Sequence, residues 1–325
     1  MKENTPLYPF KFKPILQEKV WGGTKLSQYF EKDAQGNIGE SWELSGVEGF
    51  VSVVQNGNLI GKELNYLIDI FKEKLMGGKV YRSFGNTFPL LFKFIDAKED
   101  LSVQLHPDDT LAKSRHNSFG KTEMWYILNT KNDARLFLGF NREVDEQTYL
   151  KFLSEKRLPE ILHSEKVKKG DSFFIAPGTV HAIGAGVILA EIQQTSDITY
   201  RIYDWDRMGL DGKERELHTE LALEAINFQN PETRLNYSNN ENEPNLIYRS
   251  PYFETNKVQL TKDYLRDLSM IDSFVVYMCV DGEGEFILNG HSEKIKKGET
   301  ILIPAISNSL KILTQSASFL EVYIP

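Results

Sequence analysis

His163-Ser-Glu-Lys-Val-Lys-Lys-Gly-Asp171 recurs, nearly letter for letter, as His291-Ser-Glu-Lys-Ile-Lys-Lys-Gly-Glu299. Each copy passes through its glycine into an apolar run, Ser172-Phe-Phe-Ile-Ala176 or Thr300-Ile-Leu-Ile303, and then meets Pro177 or Pro304. Short apolar runs bounded by charged turns, glycine and proline read as strands. Upstream of each copy lies another strand candidate. One is Glu123-Met-Trp-Tyr-Ile-Leu128; the other is Ser273-Phe-Val-Val-Tyr-Met-Cys-Val280, closing on the turn Asp281-Gly-Glu-Gly284. The same elements in the same order predict two halves of one architecture. Repeated short strands with Gly and Pro turns favour a mainly β protein of two jelly-roll barrels over a parallel α/β sheet.

Helical spacing of apolar residues is confined to Glu63–Leu75, Asp145–Leu153 and Arg215–Ile226, which read as short insertions on the β scaffold. The stretch Asn227–Asn245 is rich in Asn, Glu, Pro and Ser and separates the last of these from the second strand block. Placing the boundary there gives a catalytic domain over 1–235 and a C-terminal domain over 236–325. A chain of 325 residues with 41% hydrophobic content is long enough for two cores.

Charge narrows the function classes. With 38 basic and 46 acidic residues the chain carries −8 and has no long basic cluster, so nucleic acid and anionic membranes are not expected partners. Met1–Leu16 has no apolar run of signal-peptide type, and no stretch reaches the length of a membrane span. The single cysteine, Cys279, cannot form an internal disulfide and reads as a small buried hydrophobe of a strand. A soluble cytoplasmic protein is expected.

Three segments carry the chemistry. Leu101-Ser-Val-Gln-Leu-His-Pro-Asp108 alternates, so Ser102, Gln104 and His106 share one face, and Pro107 ends the strand beside His106. Glu123 opens an apolar strand, where a carboxylate needs a cation or a rim position. His181 begins a strand after the Pro177-Gly178 turn. Taken singly, each fits an exposed strand face, a solvated strand start or a satisfied core histidine. Together, two imidazoles and a carboxylate from three strands form a ligand set that leaves a catalytic zinc an open position, with Gln104 as a fourth, weaker oxygen ligand.

The chain resembles the type I mannose-6-phosphate isomerases of the short bacterial form over nearly its whole length. The resemblance is carried by Val20-Trp-Gly-Gly23, Gly39-Glu-Ser-Trp-Glu43, Ser102-x-Gln-x-His-Pro-Asp108, Gly120-Lys-Thr-Glu-Met-Trp125, Pro177-Gly-Thr-Val-His-Ala182 and Thr195-Ser-Asp-Ile-Thr-Tyr-Arg201. It implies a cupin fold, one zinc per chain at Gln104, His106, Glu123 and His181, and an arginine, Arg201, in the active site. It also suggests Lys121 and Asp197 as catalytic groups close to a sugar-phosphate substrate. Long members of the family follow the arginine with Thr-Pro-Lys, whose lysine helps bind phosphate. Here Arg201 is followed by Ile-Tyr-Asp-Trp-Asp-Arg207, which leaves Ser102, Arg207, Lys213 and Arg215 as phosphate candidates.

The expected reaction is interconversion of mannose 6-phosphate and fructose 6-phosphate through an enediol. A cupin that binds a small sugar without turnover is disfavoured by three further charged groups in the cleft. An iron dioxygenase would carry His-x-His where Gln104-x-His106 stands. Superposing the repeats puts Ser309 at the place of His181 and Phe274 near that of Glu123, so the C-terminal half is expected to hold no metal. A monomer or weak homodimer is expected.

Overall fold

The computed structural model describes residues 7–325 apart from 34, 230 and 231. The first six residues of the stretch Met1–Leu16, and two of the polar stretch 227–245, therefore lie outside the described residues. The protein is mainly β. A seven-stranded antiparallel sheet contains Ile15–Gly23, Ile38–Leu44, Leu90–Asp96, Val187–Gln194, Glu123–Thr130, Ser172–Ile175 and Arg234–Leu235. A five-stranded sheet contains Tyr200–Tyr203, Val103–Leu105, His181–Ile183, Arg135–Phe140 and Leu162–Lys166. A third, nine-stranded sheet is built from the C-terminal strands, with the N-terminal Phe10–Lys11 paired to Thr300–Ile303.

Side-chain alternation explains the long apolar runs. In Glu123–Thr130, Trp125 and Ile127 face a core shared with Leu136, Leu138 and Ile183 of the five-stranded sheet. Met124, Tyr126 and Leu128 face the other way, into a core shared with Phe274, Val276, Met278 and Leu320. Strands covered on both faces carry few polar residues. The two halves therefore meet through an apolar layer in which the rings of Phe88 and Phe274 lie 4.7 Å apart.

Several expectations are corrected. The predicted helix over 63–75 is two helices, Leu64–Phe71 and Glu73–Met76, broken at Lys72, whose φ is 45°. Only Thr219–Leu223 of the predicted 215–226 helix forms, because Arg215 is drawn to Asp204 and the His218 amide donates to the Arg201 carbonyl. The turn expected at Asp281–Gly284 lies inside one long strand, Val275–Leu288, whose register shifts between Cys279 and Asp281; Gly282 follows at φ 71°, and a Cβ on it would stand 2.2 Å from the Ser316 carbonyl. Arg234–Leu235, inside the expected linker, pairs with Ser172 and Phe173. No helix among the described residues is long and apolar enough to cross a membrane.

Candidate active site

The five-stranded sheet sets three of the candidate residues in one row. His181 is in register with Gln104, and Gln104 with Arg201, so their side chains project from the same face. His106 stands just past the end of Val103–Leu105, and Glu123 opens its strand on the facing sheet. His106, Glu123 and His181 are buried, and one ligand atom from each lies within 4.8 Å of the others.

The donor set fits a divalent metal. The His106 Nδ1–H donates to the Ile198 carbonyl at 2.9 Å, and the His181 Nδ1–H to the Thr179 carbonyl at 2.9 Å. Each ring is thereby held in the tautomer that turns a bare Nε2 toward Glu123, at 3.7 Å from His106 and 3.5 Å from His181. His106 Nε2 and Glu123 Oε1 are buried without a hydrogen-bond partner, and Glu123 Oε2 meets only the Lys121 ammonium. Buried polar atoms seldom remain unpartnered, and three converging lone-pair donors are what a cation would satisfy. Burial pushes the Glu123 carboxyl up to about 8, an effect partly offset by Lys121, whose Nζ lies 3.1 Å from Oε2. Burial lowers His181 to about 4 and holds His106 well below the usual imidazole range. Gln104 approaches through its amide, with Nε2 3.4 Å from His181 Nε2, while its Oε1 accepts from the Ser102 hydroxyl at 3.2 Å. Half a turn of that amide would present oxygen to an ion.

Gln104, beside His181, and Lys121, beside Glu123, join these groups to a cavity of about 360 Å³ whose lining also includes Ser102, Asp197, Arg201 and Arg215. Lys121 is buried and Asp197 is exposed at the rim. One Arg201 Nη donates to the Glu216 carbonyl at 2.9 Å, while its buried Nε has no partner. Of the four phosphate candidates, Ser102 and Arg215 line the cavity. Arg207 is turned away, bonded to Asp204 and to the Asp100 carbonyl, and Lys213 is exposed.

Residue reasoning missed a second charged pair in the cavity wall. Lys93 and Glu191, in register on neighbouring strands, are ion-paired at 2.9 Å, and Glu191 also accepts from the Trp125 indole at 2.9 Å. Burial alone would raise Glu191, but Lys93 and Lys121 bring it down to about 2. The available signal was one charged residue in each of two otherwise apolar runs, Leu-Leu-Phe-Lys93-Phe-Ile and Val-Ile-Leu-Ala-Glu191-Ile.

In the C-terminal half, strand register places Val275 opposite Ile303 as Glu123 lies opposite Ile175, and Leu310 opposite Arg266 as His181 lies opposite Gln104. Ser309 is exposed and Phe274 faces the layer between the halves, so Leu310 and Val275, not those two, occupy the equivalent places. His163 is exposed and His291 packs beside Tyr8. Among the described residues, His106, Glu123 and His181 are the one group of three such ligands found together.

A mainly β scaffold that buries two histidines and a carboxylate together beside a charged cavity defines a cupin-type protein with a site suited to a divalent metal. Residues 9–133 match the family model for the phosphomannose isomerase type I catalytic domain, and residues 243–323 the mannose-6-phosphate isomerase cupin domain. The chain is 36% identical over 300 residues to mannose-6-phosphate isomerase ManA of Bacillus subtilis, covering 91% of this chain and 93% of that one. It is 30% identical over 299 residues to mannose-6-phosphate isomerase of Streptococcus mutans, covering 91% and 92%. The crystal structure of the Bacillus subtilis mannose 6-phosphate isomerase superposes with a TM-score of 0.89 at 29% identity, covering 98% of this chain and 100% of that chain. The chain belongs to the type I phosphomannose isomerase family.

Proposed function

We propose that this protein interconverts D-mannose 6-phosphate and D-fructose 6-phosphate through an enediol, with one zinc ion per chain held by Gln104, His106, Glu123 and His181. The observation that carries the reading is Glu123, a fully buried carboxylate that meets Lys121 through Oε2 and lies between two imidazoles whose bare nitrogens face it. Bound there, zinc would supply Lewis-acid polarisation of the sugar oxygens.

The isomerisation removes the proton on C2 and delivers one to C1, while the O2 proton is lost and O1 is protonated. Arg201 provides a permanent positive charge on the cavity wall, and its unpartnered Nε is a donor available to an oxygen whose charge develops during that shift. Lys121 and Asp197 are the groups available to carry the proton, and kcat–pH profiles of Lys121→Ala and Asp197→Asn assign it between them. For phosphate we favour the Ser102 hydroxyl and Arg215. Arg201, Arg207 and Arg215 crowd around one buried carboxylate, Asp204, and burial and Arg215 both lower the Arg201 pKa, so a dianion would relieve the excess positive charge. Arg215→Ala should raise KM for mannose 6-phosphate at least ~10-fold, as expected for loss of a charge-assisted contact. Any turnover of unphosphorylated mannose should be left unchanged.

The same reading divides the chain into a catalytic unit, 1–235, and a C-terminal unit, 236–325, each a cupin-type jelly roll. The second lacks a metal site. It takes the protein to be a cytoplasmic monomer or weak homodimer that binds neither nucleic acid nor membrane. An assay on mannose 6-phosphate, coupled to consumption of fructose 6-phosphate and run with metal analysis, tests it. No turnover by zinc-loaded protein would refute the isomerase reading, and iron as the sole activating metal would refute zinc.

A further inference from the structure

Tyr252 lies in the C-terminal half, on the turn between strands Pro244–Arg249 and Glu254–Leu260. The turn is firmly built. The Ser250 hydroxyl oxygen accepts from the amides of Tyr252 and Phe253, both at 3.2 Å, and the Ser250 amide donates to the Phe253 carbonyl at 3.0 Å. Phe253 is fully buried in the layer between the halves. From this anchored turn the Tyr252 hydroxyl crosses to the N-terminal half and donates to Asp109 Oδ2 at 2.8 Å.

Asp109 passes the contact on. Its other oxygen, Oδ1, accepts from the Gly120 amide at 2.9 Å and from the Gln194 side-chain amide at 3.0 Å. Gln194 Oε1 in turn accepts from the Thr122 amide at 2.9 Å, and the Gln194 amide donates to the Thr122 carbonyl at 3.1 Å. The backbone on both sides of Lys121 is thus fixed through Asp109 and Gln194, one step from the Glu123 carboxylate. Space is tight as well: a Cβ on Gly120 would stand 2.5 Å from the Asp109 backbone nitrogen, so the segment lies directly against the start of helix Asp109–His116. Burial, then the bond to Asp109, raises the Tyr252 phenol to about 12, which keeps the hydroxyl a donor at any working pH.

We infer that Tyr252 is a positioning residue, through which the C-terminal half, without a metal set of its own, fixes the segment that carries Lys121, in the wall of the reaction cavity, and Glu123 beside it. The inference rests on the reading of that cavity as the isomerase site. It gives the second half a part in the chemistry at a distance, carried by one hydroxyl and two side chains. Small displacements of catalytic groups are costly: a shift of about 1 Å can lose ~10²-fold in rate.

The test compares Tyr252→Phe with Lys169→Ala in the full-length protein. Lys169 pairs with Asp281 across the halves at 2.7 Å, both side chains half exposed, a link separate from the hydrogen bonds of Asp109 and Gln194. Hydrogen exchange of the Gly120 and Thr122 amides is measured without metal, and kcat and KM for mannose 6-phosphate with zinc. Tyr252→Phe should exchange both amides ~10-fold faster and lose ~10-fold in kcat, with KM within about twofold and zinc content unchanged. Lys169→Ala should alter none of these. Unchanged exchange in Tyr252→Phe overturns the inference whatever the activity. Faster exchange with intact kcat, or equal losses in Lys169→Ala, overturns the positioning role. If wild-type protein fails to turn over mannose 6-phosphate, the isomerase reading falls and the exchange result alone decides whether Tyr252 holds the segment.

Discussion

Zinc affinity should rise about tenfold per pH unit between about pH 5 and pH 8 and then level off, because the ion displaces a single proton. At 0% exposure, Glu123 holds its proton up to about 8 in the ion-free protein. His181, lowered to about 4, and His106, lower than usual, are already neutral through this window and offer their nitrogens without proton loss. One proton over about three pH units amounts to ~10³ in affinity. The sign for stability is opposite in the two forms. Between the ordinary carboxyl value of 4.5 and about 8, ion-free folded protein keeps a proton that the unfolded chain has lost. Its stability therefore declines as pH rises through that range. The loaded protein, with Glu123 ionised against the metal, escapes this decline, so the gap in Tm between the two forms should widen toward pH 8. Chelator competition from about pH 5.5 to 9 gives the slope, and calorimetry in buffers of different ionisation enthalpy counts the protons. About one proton released near pH 6.5 and none near pH 9 is expected. Two protons at pH 6.5 would show that a histidine titrates with Glu123; none would show that burial leaves Glu123 ionised, and either result refutes the reasoning.

Arg201→Ala should keep fold and metal and lose ~10²-fold or more in kcat with a smaller change in KM, as removal of an oxyanion donor does. A steep rise in KM with kcat intact would make Arg201 a ground-state phosphate ligand instead. Metal analysis should return one ion per chain, lost in His181→Ala; a second tight ion would refute the reading of the C-terminal half. Arg266→Ala should destabilise the protein by about 3 kcal/mol in denaturant titration, by stranding the buried Glu321 carboxylate, and leave metal content unchanged. A change below about 0.5 kcal/mol would show that water or another group already satisfies Glu321.

How far the sequence revealed the site follows from where each signal lies. His106 beside Pro107, Glu123 at the head of an apolar run and His181 after Pro177-Gly178 are chemically conspicuous within a few residues, so local grammar finds them. Lys93 and Glu191 are conspicuous only as a pair. Their strands, Leu90–Asp96 and Val187–Gln194, are far apart in the chain, and each charge alone looks like an interruption. The helix Asp109–His116 was hidden because it buries only Ala112 and has no apolar stripe; its start was marked by Asp108, which accepts from the Leu111 amide at 2.8 Å. The expected helix over 215–226 failed for the converse reason. Apolar spacing was present, but Arg215 and His218 have stronger partners in Asp204 and the Arg201 backbone.

The repeat also explains why only one half is equipped for a metal. Trp125 lies opposite Glu191, and in the second half Tyr277 lies opposite Glu321. In both places the aromatic donor bonds the buried carboxylate, at 2.9 Å from the indole and 2.6 Å from the phenol. The surroundings differ. Where the first half places Gln104, His106, Glu123 and His181, register places Arg266, Leu268, Val275 and Leu310. The Arg266 guanidinium forms a two-pronged pair with Glu321, both contacts at 2.9 Å, so this interior carries its own permanent cation. A fixed guanidinium and three apolar side chains leave neither lone pairs for a second metal nor an open position for a sugar oxygen. What the second half retains is a contact toward the site: the Tyr252 hydroxyl donates to Asp109, whose other oxygen accepts from the Gly120 amide beside Lys121.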